Sequence, residues 1–227
     1  MYKYETHLHT YPVSGCAHCS VRENLEFYKE KGYDGVFITN HFLDGYINVD
    51  FNKSYKDKLD FYFSDYEKGV EIGKEIEIKV FLGVEMSYRG TDFLIYGLDK
   101  SWYYENPNIM DMKKSDELRY LMNNGAYVVQ AHPYREANYI DHIRLFPRCV
   151  NAVEIINGNQ SDFMNEMAKI YAKHYGLKVT AGSDNHRGGK VQVLAGMMSQ
   201  RPIKDEHDFI DCVENETLQI FEMENNV

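Results

Sequence analysis

The chain has 227 residues, 44% hydrophobic and 26% charged, which is enough for a full core and reads as one domain over residues 1–227. It carries 35 Asp and Glu against 25 Lys and Arg, for a formal net charge of −10, and has no basic run. That argues against a nucleic-acid surface, because the phosphate backbone is gripped by clustered cations. No apolar stretch is of bilayer length, MYKYETHLHT does not read as a signal peptide, and Cys16, Cys19, Cys149 and Cys212 outline no disulfide framework. A reduced, cytoplasmic protein without a membrane partner is therefore expected; its oligomeric state is left open.

The first strand is predicted over residues 2–7, running into His7-Leu8-His9. After the loop TYPVSGCAHC, Ser20 and Glu23 have capping-box spacing, Val21, Leu25 and Tyr28 share a helical face, and Gly32 stops the helix. Strand two, 35–39, ends at Asn40-His41, and this strand–helix–strand order favours parallel pairing with a right-handed crossover. A helix over 53–74 leads to strand three, 78–84, with Glu85 at its exit. Strand four, 92–98, follows after only MSYRGT, too short for a crossover helix, so an antiparallel hairpin is expected. DKSWYYENPN reads as turns, and a helix over 115–124 precedes strand five, 126–130, just before His132. The loop PYREANYIDHIRLFPRC has room for a short helix and for folding over a mouth. Strand six, 152–156, ends at Asn157-Gly158; a helix over 162–174 lies between Ser161 and Gly176; strand seven, 178–181, precedes Asp184 and His186. The tail offers an extended VQVLAGMM, a helix over 206–215 and an apolar TLQIFEM.

Histidines and acids thus recur where strands end. In a βα barrel those ends share one mouth, so residues distant in sequence converge. His7 and His9 alternate with Leu8 and point to one side, where both can reach one ion at the ~2 Å of a zinc–imidazole bond. Asp184-Asn185-His186 repeats this with one acid and one imidazole, and the Glu85 carboxylate can bridge two cations at the ~3.5–4 Å of two-metal sites. Two carboxylates among five imidazoles leave a di- or trinuclear centre of Zn, Mn or Fe positively charged, which favours hydroxide and phosphate. Arg135 and Arg187 adjoin ligand positions and suit bidentate phosphate binding. His142, His174 and His207 have no such partners and read as structural or surface residues. Cys16 and Cys19 lack a second Cys pair and read as ordinary loop cysteines.

The ordered set HLHT, GYDGVFITNH, GVEMSY, VVQAHPYR, VEIINGN and GSDNH, covering about residues 1–190, resembles the PHP (polymerase and histidinol phosphatase) family. The resemblance implies an α/β fold, a distorted (β/α)7 TIM-like barrel with metals at its C-terminal mouth. It implies His7, His9, Glu85, His132, Asp184 and His186 as core ligands and His41 as the ligand of a third metal. Two positions depart from the family pattern. An Asp or His is common soon after HxH, and His18 in PVSGCAHC is the nearest equivalent here. A histidine is common on the strand after the glutamate, where this chain has Asp92. The expected activity is hydrolysis of a small phosphorylated substrate, a phosphomonoester, by a metal-bound hydroxide. Arg135 or Arg187 would hold the phosphate, and His186 or His41 would protonate the leaving alkoxide. An amidohydrolase-like metal hydrolase and a non-catalytic metal-binding or regulatory module are the alternatives.

Overall fold

The structure, a computed structural model, describes residues 1–226. Its frame is one nine-stranded sheet curled into a nearly closed barrel. The strands are β1 (Tyr2–Leu8), β2 (Gly35–Ile38), β3 (Lys79–Tyr88), β4 (Thr91–Tyr96), β5 (Tyr127–Ala131), β6 (Ala152–Asn157), β7 (Lys178–Gly182), β8 (Val193–Ser199) and β9 (Gln219–Glu224). They lie in the order β7-β6-β5-β4-β3-β2-β1-β8-β9. β1, β2 and β3 pair in parallel, as do β5, β6 and β7, whereas β4 runs antiparallel to both neighbours. The central strands are buried along most of their length, so they are apolar in near-continuous runs rather than in strict alternation.

The seam closes between β1 and β7. The Thr6 hydroxyl donates to the Ala181 carbonyl at 2.7 Å, and just past the strands the His9 and Asn185 N–H groups donate across the gap at 3.1 and 3.3 Å. β8 packs antiparallel on β1 and ties into the same seam, with the Ala195 N–H donating to the Ser183 hydroxyl at 2.9 Å. Gly196 is needed here because a Cβ at that position would sit 2.2 Å from the Tyr4 carbonyl oxygen of β1. Gly196→Ala is expected to destabilise the fold by about 1–3 kcal/mol, the scale of overpacking. A urea midpoint equal to that of the parent protein would contradict this β1–β8 register.

Helices cover the outside. α1 (Val21–Glu30) starts with the expected capping box of Ser20 and Glu23. α2 (Tyr55–Ile76) and α5 (Asp162–Tyr175) begin at capping Ser54 and Ser161, and α5 stops at left-handed Gly176. α4 (Lys114–Asn123) and α6 (Glu206–Glu214) lie close to the expected positions. Three expectations need correction. DKSWYYENPN is not only turns: Asp99 accepts from the Trp102 N–H at 2.9 Å and starts α3 (Lys100–Glu105), followed by a 3-10 turn at Ile109–Asp111. The long loop after His132 carries no helix. Strand three does not end at residue 84 but continues to Tyr88, so Glu85 lies inside it. The hairpin with β4 causes this extension: Arg89 and Gly90 both have positive φ, the turn that matches strand twist, and pairing runs up to Tyr88–Thr91.

Candidate metal centre

Backbone pairing places the side chains of the mouth. His7 and His9 project from the end of β1 on the same side. The β2–β3 pairing resumes three residues past the end of β2 as a His41–Glu85 bridge, with the Phe42 N–H donating to the Glu85 carbonyl at 2.7 Å. His132 and Asp184 follow β5 and β7 with φ of 25° and 52°, a left-handed region that costs non-glycine residues on the order of 1–3 kcal/mol. Two such residues at strand exits in one mouth mark it as a place where stability yields to geometry.

Three groups of donors result: His7, Glu85 and His132; His7, His9 and Asp184; and His9, Cys16, His41 and His186. Within each, the ligand atoms lie within 4.8 Å of one another. Glu85 divides its oxygens, Oε1 lying 3.0 Å from His7 Nε2 and 3.5 Å from His132 Nε2, and Oε2 lying 3.3 Å from His9 Nε2 and 2.7 Å from His41 Nδ1. Asp184 Oδ1 stands 3.4 Å from His7 Nε2 and 3.3 Å from His9 Nε2, and its Oδ2 faces His132 at 3.7 Å.

These approaches do not make hydrogen bonds. Both oxygens of Glu85, Oδ1 of Asp184 and Nδ1 of His41 are buried without a hydrogen-bond partner among the described residues. Buried polar atoms are normally paired, and leaving a charged one unpaired costs more than a neutral one. The tautomers point the same way. His7 Nδ1–H donates to Glu154 Oε1 at 2.9 Å, His186 Nδ1–H to the Asp184 carbonyl at 2.8 Å, and His9 Nδ1 meets the Ser14 hydroxyl at 3.2 Å. Each ring then presents Nε2 inward, and the Nε2 atoms of His7 and His9 face each other at 3.2 Å. Inward-facing imidazole nitrogens and donor-starved carboxylate oxygens fit divalent cations, which would take the place of protons there.

Charge in the mouth is polarised accordingly. Burial would push the Glu85 carboxyl up, but His41, His7 and His9 outweigh it and hold it well below the usual range. Asp184 is held low against burial by His7 and His186. Burial disfavours the charged His7 ring, yet Asp184, Glu154 and Glu85 drive it well above the ordinary value. His9 goes the other way, lowered by burial and by His186. Cys16 is raised by burial but lowered further by His186 and His41, to about 7.

The residues expected from the sequence do not all meet. His7, His9, His41, Glu85, His132, Asp184 and His186 are brought together. Asp92 is buried on β4 but outside the three groups, 3.8 Å from His132 Nε2 and 3.4 Å from the Arg135 guanidinium. Arg135 therefore stands beside the His132 side of the mouth, whereas Arg187 is exposed and makes no ion pair among the described residues. His18 is a correction. It is exposed, and only its backbone N–H reaches the site, donating to the His186 carbonyl at 2.8 Å. Cys16, read from the sequence as a loop cysteine, instead lies with His9, His41 and His186 in one of the three groups.

Glu154 on β6 was not singled out as a site residue. Besides holding His7, it accepts from the His132 N–H at 3.0 Å and from Asn157 Nδ2 at 2.8 Å. An acid in the buried strand VEIIN was the available signal. Carboxylates behind ligating histidines fix ring orientation, so Glu154→Gln is expected to weaken metal binding about 10- to 100-fold. Titration with zinc and a competing chelator reads this directly, and unchanged affinity would deny Glu154 the role.

Comparison with known proteins agrees with this architecture. A family model described as PHP-associated matches residues 163–217. A search of curated proteins returns no match. Among solved structures, a two-domain protein from Bacteroides vulgatus containing a predicted PHP-like metal-dependent phosphoesterase is similar at TM-score 0.69 and 14% identity. The match covers 97% of this chain and 64% of that one, so this chain spans less than two thirds of it. A candidate metal-dependent phosphoesterase from Bifidobacterium adolescentis matches at TM-score 0.56 and 14% identity, covering 92% of this chain and 94% of that one. An amidohydrolase from Chromobacterium violaceum, solved with sulfate and no metal, matches at TM-score 0.52 and 14% identity over 83% of this chain and 89% of that one. At such identities the likeness is one of fold.

Proposed function

We propose that this chain is a metal-dependent phosphoesterase of the PHP type, acting on a small phosphomonoester. The observation that carries this reading is Glu85, whose two buried oxygens lack hydrogen bonds and face separate pairs of imidazoles. His7, His9, Glu85, His132 and Asp184 would hold two divalent cations, and His9, Cys16, His41 and His186 a third. Metals held there supply a nucleophile at neutral pH and offset the charge of the phosphate.

The chain's own residues bind and orient the substrate. Arg135 is steadied by Asp92, and its guanidinium can still offer paired donors to phosphate oxygens. The loop that follows it forms an open groove of about 540 Å³ lined by Arg135, Asn138, His142 and Ile143, beside Arg135 but not lined by any of the candidate ligands. Arg135→Ala is expected to raise KM about 10- to 100-fold, in line with the ~1.5–3 kcal/mol of a hydrogen bond to a charged group. Arg135→Lys would restore only part of this, because a lysine cannot bind two oxygens at once. An unchanged KM would remove Arg135 from the phosphate site. Where His186 is free of metal, it is better placed than His41 to protonate the leaving alkoxide, being the more exposed of the two rings at 19% against 11%.

The amidohydrolase reading draws on fold likeness alone. The buried lysine, Lys114, is held by Glu117 at 2.7 Å and Asp44 at 3.2 Å, outside the three groups. A panel of phosphomonoesters, phosphodiesters, amides and lactones, offered to the metal-loaded protein, separates the two. Preferential turnover of monoesters supports the proposal, and turnover of amides or lactones alone would overturn it.

A further inference from the structure

The group at the outer side of the mouth differs in chemistry from the other two. It contains three imidazoles and a sulfur, His9, His41, His186 and Cys16, and no carboxylate. The rings are arranged around a common space: His9 stacks on His186 with centroids 4.2 Å apart and lies 4.5 Å from His41. His41 Nδ1 is buried there without a hydrogen-bond partner.

The loop that carries Cys16 is pinned on both sides of it. The Gly15 N–H donates to the Tyr46 carbonyl at 2.8 Å, the Ala17 N–H to the Ser14 carbonyl at 3.2 Å and the His18 N–H to the His186 carbonyl at 2.8 Å. Ser14 in turn joins the loop to the strand exits, accepting from the His41 N–H at 3.0 Å and donating to Asn40 Oδ1 at 2.8 Å. Gly15 permits this close course, since a Cβ there would meet Asn48 and the Tyr46 ring at 3.0 Å. The sulfur is thus held against the three imidazoles by backbone contacts on either side. Cys19, three residues on, lies outside the group.

We infer that Cys16 is a thiolate ligand of the third metal, making that position a sulfur-and-imidazole site selective for zinc-like ions over manganese. Thiolate is a soft donor that favours zinc, whereas manganese prefers carboxylate and water oxygen. The inner positions, built on Glu85 and Asp184, lack that bias. The centre would then hold chemically distinct metals, or one metal bound with distinct strengths. This inference rests on the metal-hydrolase reading above, but its test does not use turnover.

X-ray absorption of the zinc-loaded parent protein is expected to show a sulfur at about 2.3 Å in a shell otherwise of nitrogen and oxygen. A shell without sulfur overturns the inference, and this measurement requires no variant to fold. Cys16→Ser is expected to lose one equivalent of zinc, or to hold it at least about tenfold more weakly; full stoichiometry at unchanged affinity would overturn it. With cobalt, the parent and Cys19→Ser should share a thiolate-to-metal charge-transfer band that Cys16→Ser lacks, and a band retained in Cys16→Ser would again overturn it. Sulfur ligation in a protein inert to every phosphoester would sink the phosphoesterase reading and leave this one standing. Turnover by a sulfur-free centre would do the reverse.

Discussion

Asp184→Asn is expected to reduce phosphomonoester turnover by at least about 10³-fold, the upper range for loss of one group that stabilises developing charge. The two oxygens of Asp184 face His7, His9 and His132, so the carboxylate serves more than one donor group. Asparagine keeps the shape and tolerates the left-handed backbone at this position, φ 52°, so the substitution removes charge without adding strain. Glu85→Gln should behave similarly, because Glu85 is the carboxylate that faces His41 as well as His7, His9 and His132. Both variants should keep the far-ultraviolet circular dichroism of the parent. Turnover within a few-fold of the parent in either variant would remove these carboxylates from the centre.

Chelation is expected to produce the largest change in stability. A ligand at about 1,000 times its dissociation constant stabilises the native state by about 4 kcal/mol. For a chain of this size that corresponds to a loss of about 8–16 °C in Tm when the metal is removed. The effect should depend on pH, and the sign follows from the protonation states. In the metal-free protein His7 and His41 are held well above the ordinary 6.5, and His132 and His186 are also raised, by Glu85 and Asp184 against the opposing effect of burial. Folding then favours the protonated rings. Their contribution is complete below the unfolded value of 6.5 and is lost as pH rises through the raised folded values. Metal takes the place of those protons, so binding releases protons and tightens as pH rises. The Tm gap between loaded and chelated protein should therefore widen above pH 6.5. A gap that narrows on the alkaline side would mean that the imidazoles do not hold the metal.

Much of this site is legible in the sequence because strand exits and chemistry coincide. His7, His9, His41, His132, Asp184 and His186 stand next to apolar runs, and barrel topology brings such ends together. The antiparallel step between β3 and β4 is equally legible, since MSYRGT cannot span a crossover. What escapes is set by tertiary contact. Glu154 is one acid in a buried strand, and its partner His7 lies 147 residues away. Cys16 lies in a loop without periodicity, fixed by bonds to Tyr46 and His186 that no local pattern announces. His18, chosen by spacing from the HxH pair, has its side chain turned to solvent. α3 was hidden because Asp99, a good helix cap, lies in a stretch of turn-forming residues. The place of β8 and β9 beside β1 rests on antiparallel pairings with distant strands, which the apolar tail segments alone do not specify.

The most direct test of the central claim is elemental analysis of the purified protein joined to p-nitrophenyl phosphate hydrolysis before and after chelation, with Zn, Mn or Fe restored. Two or three metals per chain, turnover abolished by chelation and its return with metal are the predicted result. A protein that binds no metal under any of these conditions, or hydrolyses the ester equally well after its metal is removed, would contradict the account.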